Sequence, residues 1–272
     1  MSTPPTITIL FFGDIVGKPG RRVIRRYLGT LEHKPDLIVA NVENISHGFG
    51  IAEANLDELK ELGVQVFTGG NHTFDRKEIF GFIDRQPHLL RPANYPEGTP
   101  GHGHCVIELP SGIKVGLLNV MGRIFMEALS SPYLVADELL AKLAEETKII
   151  FVDFHAEATA EKVCMGWYID GRASVLVGTH THVQTADEKI LPNGTAYITD
   201  VGCCGPNEGV IGMSKEDVFR RMIQQLPTRL EIAAGKASVH GVSVKIDTAT
   251  GKALSIERVQ FHETAEQAEE RS

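Results

Sequence analysis

Short apolar runs alternate with stretches of helical period along most of the chain. The runs Ile7–Ile15, Leu37–Val42, Val64–Thr68, Cys105–Leu109, Val115–Val120, Ile149–Phe154, Ser174–Gly178, Ala196–Thr199, Val239–Ile246 and Ile256–Phe261 predict strands. Several are almost wholly apolar, the pattern of strands covered on both faces. Helices are predicted over Gly20–Glu32, Ala52–Leu62, Lys77–Asp84, Val135–Glu146, Ala158–Tyr168 and Lys215–Gln224; Leu56, Leu59 and Leu62 share one face of the second. The first half reads βαβαβ, which implies parallel strands with right-handed crossovers. Gly103–Val120 reads as a hairpin turning at Pro110-Ser111-Gly112, and the last two runs as another, split by Thr248–Lys252. No repeat and no Pro/Gly/Ser linker divides the chain. The expectation is one α/β domain over 1–272, two mixed sheets with helices outside, and a frayed polar tail over 264–272.

Composition changes this picture little. The chain has 272 residues, 42% hydrophobic and 23% charged, which excludes disorder and collagen-like structure. The net charge of −8 disfavours a broad nucleic-acid surface, because such a field repels phosphate backbones. No apolar run is long enough to span a bilayer, and Met1–Thr6 lacks a basic leader, so no membrane partner is expected and the cytoplasm is the default compartment. Cys105, Cys164, Cys203 and Cys204 form no CxxC pair and read as buried, reduced thiols. The vicinal Cys203-Cys204 could instead be redox-active, although adjacent cysteines rarely form an unstrained bridge.

The chemistry concentrates at strand ends. Phe12-Gly13-Asp14, Asn41-Val42-Glu43-Asn44, Gly69-Gly70-Asn71-His72, Asp153-Phe154-His155 and Gly178-Thr179-His180-Thr181-His182 each close a predicted strand. Ligands bind outside the carboxyl ends of strands in α/β sheets. Each piece alone has a bland reading: a turn or cap for Asp14, a turn for Asn71-His72, a hydrogen-bonded core histidine for His155. Together they have the composition of a metal site, since imidazole and carboxylate suit Mn, Fe, Zn and Ni. Gly17-Lys18-Pro19-Gly20 lacks the spacing of a phosphate loop, which rejects a nucleoside triphosphatase. Arg21, Arg22, Arg25 and Arg26 read first as a solvated face, with Arg21 or Arg22 as a phosphate contact the second choice. The Gly-hinged Ser46–Gly50 segment reads as a substrate-contacting loop.

The order of these motifs resembles the calcineurin-like metallophosphoesterases. The strings FFGDIVGKPGR, NVENISHGFGI and TGGNHTFD resemble the YmdB-like bacterial phosphodiesterases, over essentially the whole chain. The wider superfamily's Asp-x-His reads Asp14-Ile15-Val16 here, and Glu43 stands where its bridging Asp usually does. The resemblance implies a four-layer α/β/β/α sandwich and two metal ions per chain, iron or manganese foremost, with zinc as a further option. Asp14, Glu43 and His182 would hold one metal; Glu43, Asn71, His155 and His180 would hold the other. Asn44 would contact the first metal or a phosphate oxygen, and Ser46 would contact substrate.

The implied chemistry is attack on phosphorus by a metal-bridging hydroxide, with His72 as general acid for the leaving oxygen. Asp75 could orient His72, but its first reading is an N-cap for the helix from Lys77. The substrates implied are small phosphate esters, namely 2′,3′- and 3′,5′-cyclic nucleotides. The alternatives are a phosphomonoesterase, and a regulatory nucleotide-binding protein whose turnover is incidental. Self-association into a homo-oligomer is a further expectation.

Overall fold

The computed structural model describes residues 5–269. In chain order the elements are β1 (Thr6–Phe12), β2 (Asp14–Ile15), α1 (Gly17–Thr30), β3 (Leu37–Asn41), α2 (Glu53–Glu61), β4 (Val66–Thr68), β5 (Leu89–Leu90), β6 (His104–Glu108), β7 (Lys114–Met121) and α3 (Pro132–Ala144). Then follow β8 (Ile150–His155), α4 (Thr159–Ile169), β9 (Val175–Thr179), β10 (Lys189–Ile190), β11 (Ala196–Ile198), β12 (Cys203–Pro206), α5 (Lys215–Met222), β13 (Ala237–Asp247), β14 (Ala253–His262) and α6 (Ala265–Glu269).

The strands form two sheets. One runs β2-β12-β13-β1-β3-β4-β5, with β14 also on β13; the other runs β10-β11-β9-β8-β7-β6. Both are mixed: β1 is parallel to β3 and antiparallel to β13, and β7 is parallel to β8 and antiparallel to β6.

Period-two alternation sorts the side chains into layers. In β1, Ile7, Ile9 and Phe11 enter the core between the sheets, while Leu10 and Phe12 face α1 and α2. In β8, Phe151 faces the other sheet, while Ile150, Val152 and Phe154 pack with Leu140 and Leu143 of α3 and Met165 of α4. Phe11 meets Phe151 across the inter-sheet core with ring centroids 5.2 Å apart. Each such fully buried side chain contributes roughly 1.5–3 kcal/mol. The result is the expected helix–sheet–sheet–helix sandwich. Among the described residues no helix is long and apolar enough to cross a membrane.

Four sequence expectations need correction. The strand predicted over Ile7–Ile15 breaks at Gly13, where a Cβ would lie 1.9 Å from the Gly202 carbonyl oxygen. The chain there leaves β13 and pairs with β12, which delivers Asp14 to the carboxyl edge. The helix predicted over Lys77–Asp84 is two 3-10 turns, Lys77–Gly81 and Ile83–Arg85, parted by Phe82, whose φ of −139° is not helical, beside Gly81. The strands β5, β10 and β12 were not predicted, because two to four residues carry no readable period. The frayed tail is helical over Ala265–Glu269; its remainder, 270–272, lies outside the described residues, as does the start of Met1–Thr6.

Candidate metal centre and cleft

The carboxyl ends of β3, β4, β8 and β9 converge beside β2, and the candidate ligands converge with them. Asp14, Glu43, Asn44 and His155 are all 2% exposed or less. One nitrogen each of His155 and His180 and one oxygen of Glu43 lie within 4.8 Å of one another.

Hydrogen bonds on the far side of each ring decide which nitrogen faces inward. His155 Nδ1 donates to Thr179 Oγ1 (2.9 Å), whose hydroxyl donates to the buried Asp153 (2.7 Å). That fixes His155 Nε2 as the inward atom, 2.9 Å from Asn71 Oδ1 and 3.3 Å from Glu43 Oε1. His180 Nε2 is 2.9 Å from Glu157, so Nδ1 faces in, 3.1 Å from His155 Nε2. His182 Nδ1 donates to the Ile211 carbonyl (3.0 Å), and its Nε2 turns toward Asp14 Oδ1 at 3.9 Å. Such outer partners set the tautomer that a metal-ligating histidine needs.

The inward set thus gathers nitrogen and oxygen donors from five strand ends. Asp14 Oδ1 and Asn44 Oδ1 are buried and have no hydrogen-bond partner. Asn44 Nδ2 is committed to the Gly48 carbonyl (2.9 Å), which leaves its oxygen aimed inward. Buried polar atoms without partners are costly, and converging acceptors need a cation between them. Gly70 completes the cradle, since a Cβ there would lie 2.3 Å from both Glu43 Oε2 and His155 Nε2. These donors fit hard-to-borderline divalent ions.

The acidic groups and rings share protons unequally: burial lowers His155, but Glu43, Asp14 and Asp153 outweigh it and raise it. Burial opposes ionisation of Glu43, but His155 and His72 outweigh it and hold the carboxyl down to about 2. Burial, and then His155, pushes His180 down to about 3, which leaves its ring neutral. Burial raises Asp14 despite His182 and His155. Burial pulls His182 down, but Cys203 and Asp14 more than reverse it and raise it.

A cleft of about 270 Å³ opens over these groups. Glu43, Asn44, His72, His180 and His182 supply its polar floor, and Phe49, Ile211, Met213 and Leu230 an apolar wall. His72 is held from three sides. Its backbone N–H donates to Glu43 Oε2 (2.9 Å), its Nδ1 pairs with Asp75 (2.7 Å), and its ring packs edge-on against Phe49 at 4.9 Å.

Several expectations change here. Asp75 is not the N-cap: Arg76 occupies that position, with no side-chain cap, and Asp75 partners His72 instead. Ser46 does not line the cleft. Its Oγ accepts from Ala52 N and Asn55 Nδ2, both at 2.8 Å, and so ties the loop to the start of α2. Arg21 is paired with Glu58 and the Ile45 carbonyl, and Arg22 with Glu263. Neither lines the cleft. Cys203 and Cys204 are buried thiols, but Cys105 is half-buried and Cys164 exposed. Sequence reasoning placed Asp153 and Thr179 in strand-end motifs without giving them a role, and missed Glu157 and the structural need for Gly70. Asp153 and Glu157 sit two residues either side of His155, which was the one available signal.

A two-sheet α/β sandwich of this kind, with such a donor set at its strand ends, has the metallophosphoesterase fold. The YmdB-like protein family matches residues 10–259, and the chain belongs to it. It is 50% identical over 257 residues to the 2′,3′-cyclic-nucleotide 2′-phosphodiesterase of Bacillus subtilis (strain 168), covering 94% of this chain and 97% of that one. The crystal structure of a novel phosphatase from Mycoplasma pneumoniae superposes with a TM-score of 0.91 at 33% identity, covering 99% of this chain and 98% of that one. The crystal structure of a hypothetical protein from Thermus thermophilus gives 0.89 at 37% identity, covering 95% and 100%.

Proposed function

We propose that this phosphoric ester hydrolase is a metal-dependent phosphodiesterase acting on small cyclic nucleotides, 2′,3′-cyclic forms foremost. The observation that carries the reading is the convergence of one ligand atom each from Glu43, His155 and His180 beside two buried, unpartnered oxygens. Asp14, Glu43, Asn44 and His182 would hold one metal ion, and Glu43, Asn71, His155 and His180 a second. Metal held there would activate water at neutral pH and offset charge on the phosphoryl oxygens.

The chain's own groups do the rest. Asp75 accepts the Nδ1–H of His72, so the proton delivered at the cleft is the second one, on Nε2 of the imidazolium. That proton passes to the leaving ribose oxygen, a poor leaving group without it. Glu43 Oε2 fixes the His72 backbone, so the proton donor and a metal ligand share one hydrogen bond. The wall of Phe49, Ile211, Met213 and Leu230 is apolar and suits the face of a nucleobase.

The test combines metal analysis with turnover. Purified protein should carry about two metals per chain, lose turnover on chelation and regain it with Mn²⁺. It should prefer 2′,3′-cyclic AMP and bis(p-nitrophenyl) phosphate over p-nitrophenyl phosphate. Met213→Ala should raise KM for the cyclic nucleotide roughly fivefold, as expected for about 1 kcal/mol of lost apolar contact. A preference for the monoester would replace this reading with a phosphomonoesterase; absence of metal and of turnover in Mn²⁺ would end it.

A further inference from the structure

Two ligand candidates lie on a backbone that disfavours them. His180 (φ 99°) and His182 (φ 65°) both occupy the left-handed region, which suits glycine and strains other residues. Something must hold the turn between them. Thr181 does so through a single atom: its N–H (3.1 Å) and its hydroxyl (2.7 Å) both donate to Asp200 Oδ2. The same oxygen receives Lys162 Nζ at 2.6 Å. Asp200 Oδ1 accepts the Gly202 N–H at 2.8 Å, and the Asp200 carbonyl accepts the Thr185 N–H at 3.0 Å.

Lys162 comes from α4 and Asp200 from just after β11, so the pair bolts two elements to the turn. Both side chains are 1% exposed. A charge pair this deep is expensive and is weak as a device for stability alone. Close packing fixes it further: a Cβ on Gly178 would lie 1.8 Å from the Thr199 carbonyl oxygen and 2.9 Å from Lys162 Cδ. Lys162 supplies the positive charge that lets one carboxylate oxygen take three donors at once.

We propose that the buried Lys162–Asp200 ion pair is a positioning device, holding Thr181 so that His180 Nδ1 and His182 Nε2 face the metal centre. The inference rests on the metal reading above for its purpose, but not for its geometry. Asp200→Asn tests it most directly, because an amide offers one acceptor oxygen where the turn and Lys162 need an anion. Lys162→Met and Thr181→Val test the other two corners, and Thr181→Val keeps the fold measurable if the buried pair proves essential for folding. Asp137→Asn, in an ion pair with Arg172 away from the cleft, is the control.

Two readouts are taken. In metal-free protein, the ring ¹⁵N and ¹H signals of His180 and His182 should shift or broaden in Asp200→Asn, while those of His33 and His88 stay. In a Mn²⁺ titration, Asp200→Asn and Lys162→Met should bind about 10–100-fold more weakly than the parent, as second-sphere changes do. Thr181→Val should bind several-fold more weakly, and Asp137→Asn should be unchanged. Ring signals unmoved, or Mn²⁺ affinity within twofold of the parent, would overturn the proposal. Moved signals in a protein whose parent binds no Mn²⁺ would uphold the positioning role and sink the metal reading instead.

Discussion

Gly70→Ala adds one methyl group at the most crowded point of the centre. The new carbon would lie 2.3 Å from Glu43 Oε2, 2.3 Å from His155 Nε2 and 2.4 Å from His155 Cδ2. Comfortable contact needs about 3.5 Å, so something must move by about 1 Å. Gly70 cannot easily retreat: its N–H donates to Thr73 Oγ1 (2.9 Å) and its carbonyl accepts from the same hydroxyl (2.7 Å). His155 is pinned by Thr179, and Glu43 by the His72 N–H. The strain must therefore open the Glu43–His155 contact itself. A 1 Å misplacement of reacting groups costs about 100-fold in rate, or about 2.7 kcal/mol. Overpacking should also lower stability by about 1–3 kcal/mol. The assay is kcat/KM on bis(p-nitrophenyl) phosphate in excess Mn²⁺, at a temperature where far-UV circular dichroism shows the variant fully folded. A folded variant within threefold of the parent would refute the claim that Glu43 and His155 must stay this close.

Other expectations follow from the same geometry. His72→Ala should cost about 10²–10⁴-fold on 2′,3′-cyclic AMP and far less on bis(p-nitrophenyl) phosphate, whose leaving group needs no proton; equal losses on the two substrates would remove His72 as the acid. Asp75→Asn should show the same substrate contrast at smaller size, measured by the same pair of assays. Glu43→Ala should lose both metals and Asp14→Ala mainly one, by elemental analysis; equal losses would contradict a bridging Glu43.

Much of the centre was legible because strand ends announce themselves. An apolar run that stops in Asp, Glu, Asn or His is visible in one dimension, and so was the order of those endings. The two-sheet sandwich was legible because the strand runs are almost wholly apolar, the mark of strands covered on both faces; which face of β1, β8 and β9 meets the other sheet and which meets helices appears only in the packing. Local competition was harder to read. Asp75 could cap a helix or hold a ring, and the choice depended on whether Lys77 began a regular helix. It begins a 3-10 turn, and the carboxylate goes to His72. Ser46 failed for a related reason. Its place in a Gly-hinged loop said nothing about direction, and its hydroxyl faces α2 rather than the cleft.

The residue types and spacing of this chain were enough to specify the layers and the candidate donor residues, because burial and ligand chemistry are properties of single positions and short periods. Which ring nitrogen faces inward, which glycine admits the cradle and which ion pair holds the His180–His182 turn are set by partners far away in sequence. Asp200 meets Lys162 across 38 residues, and Asn71 meets His155 across 84. Pairings of that kind exist only once the two sheets have packed, since each depends on a distance that no local pattern encodes.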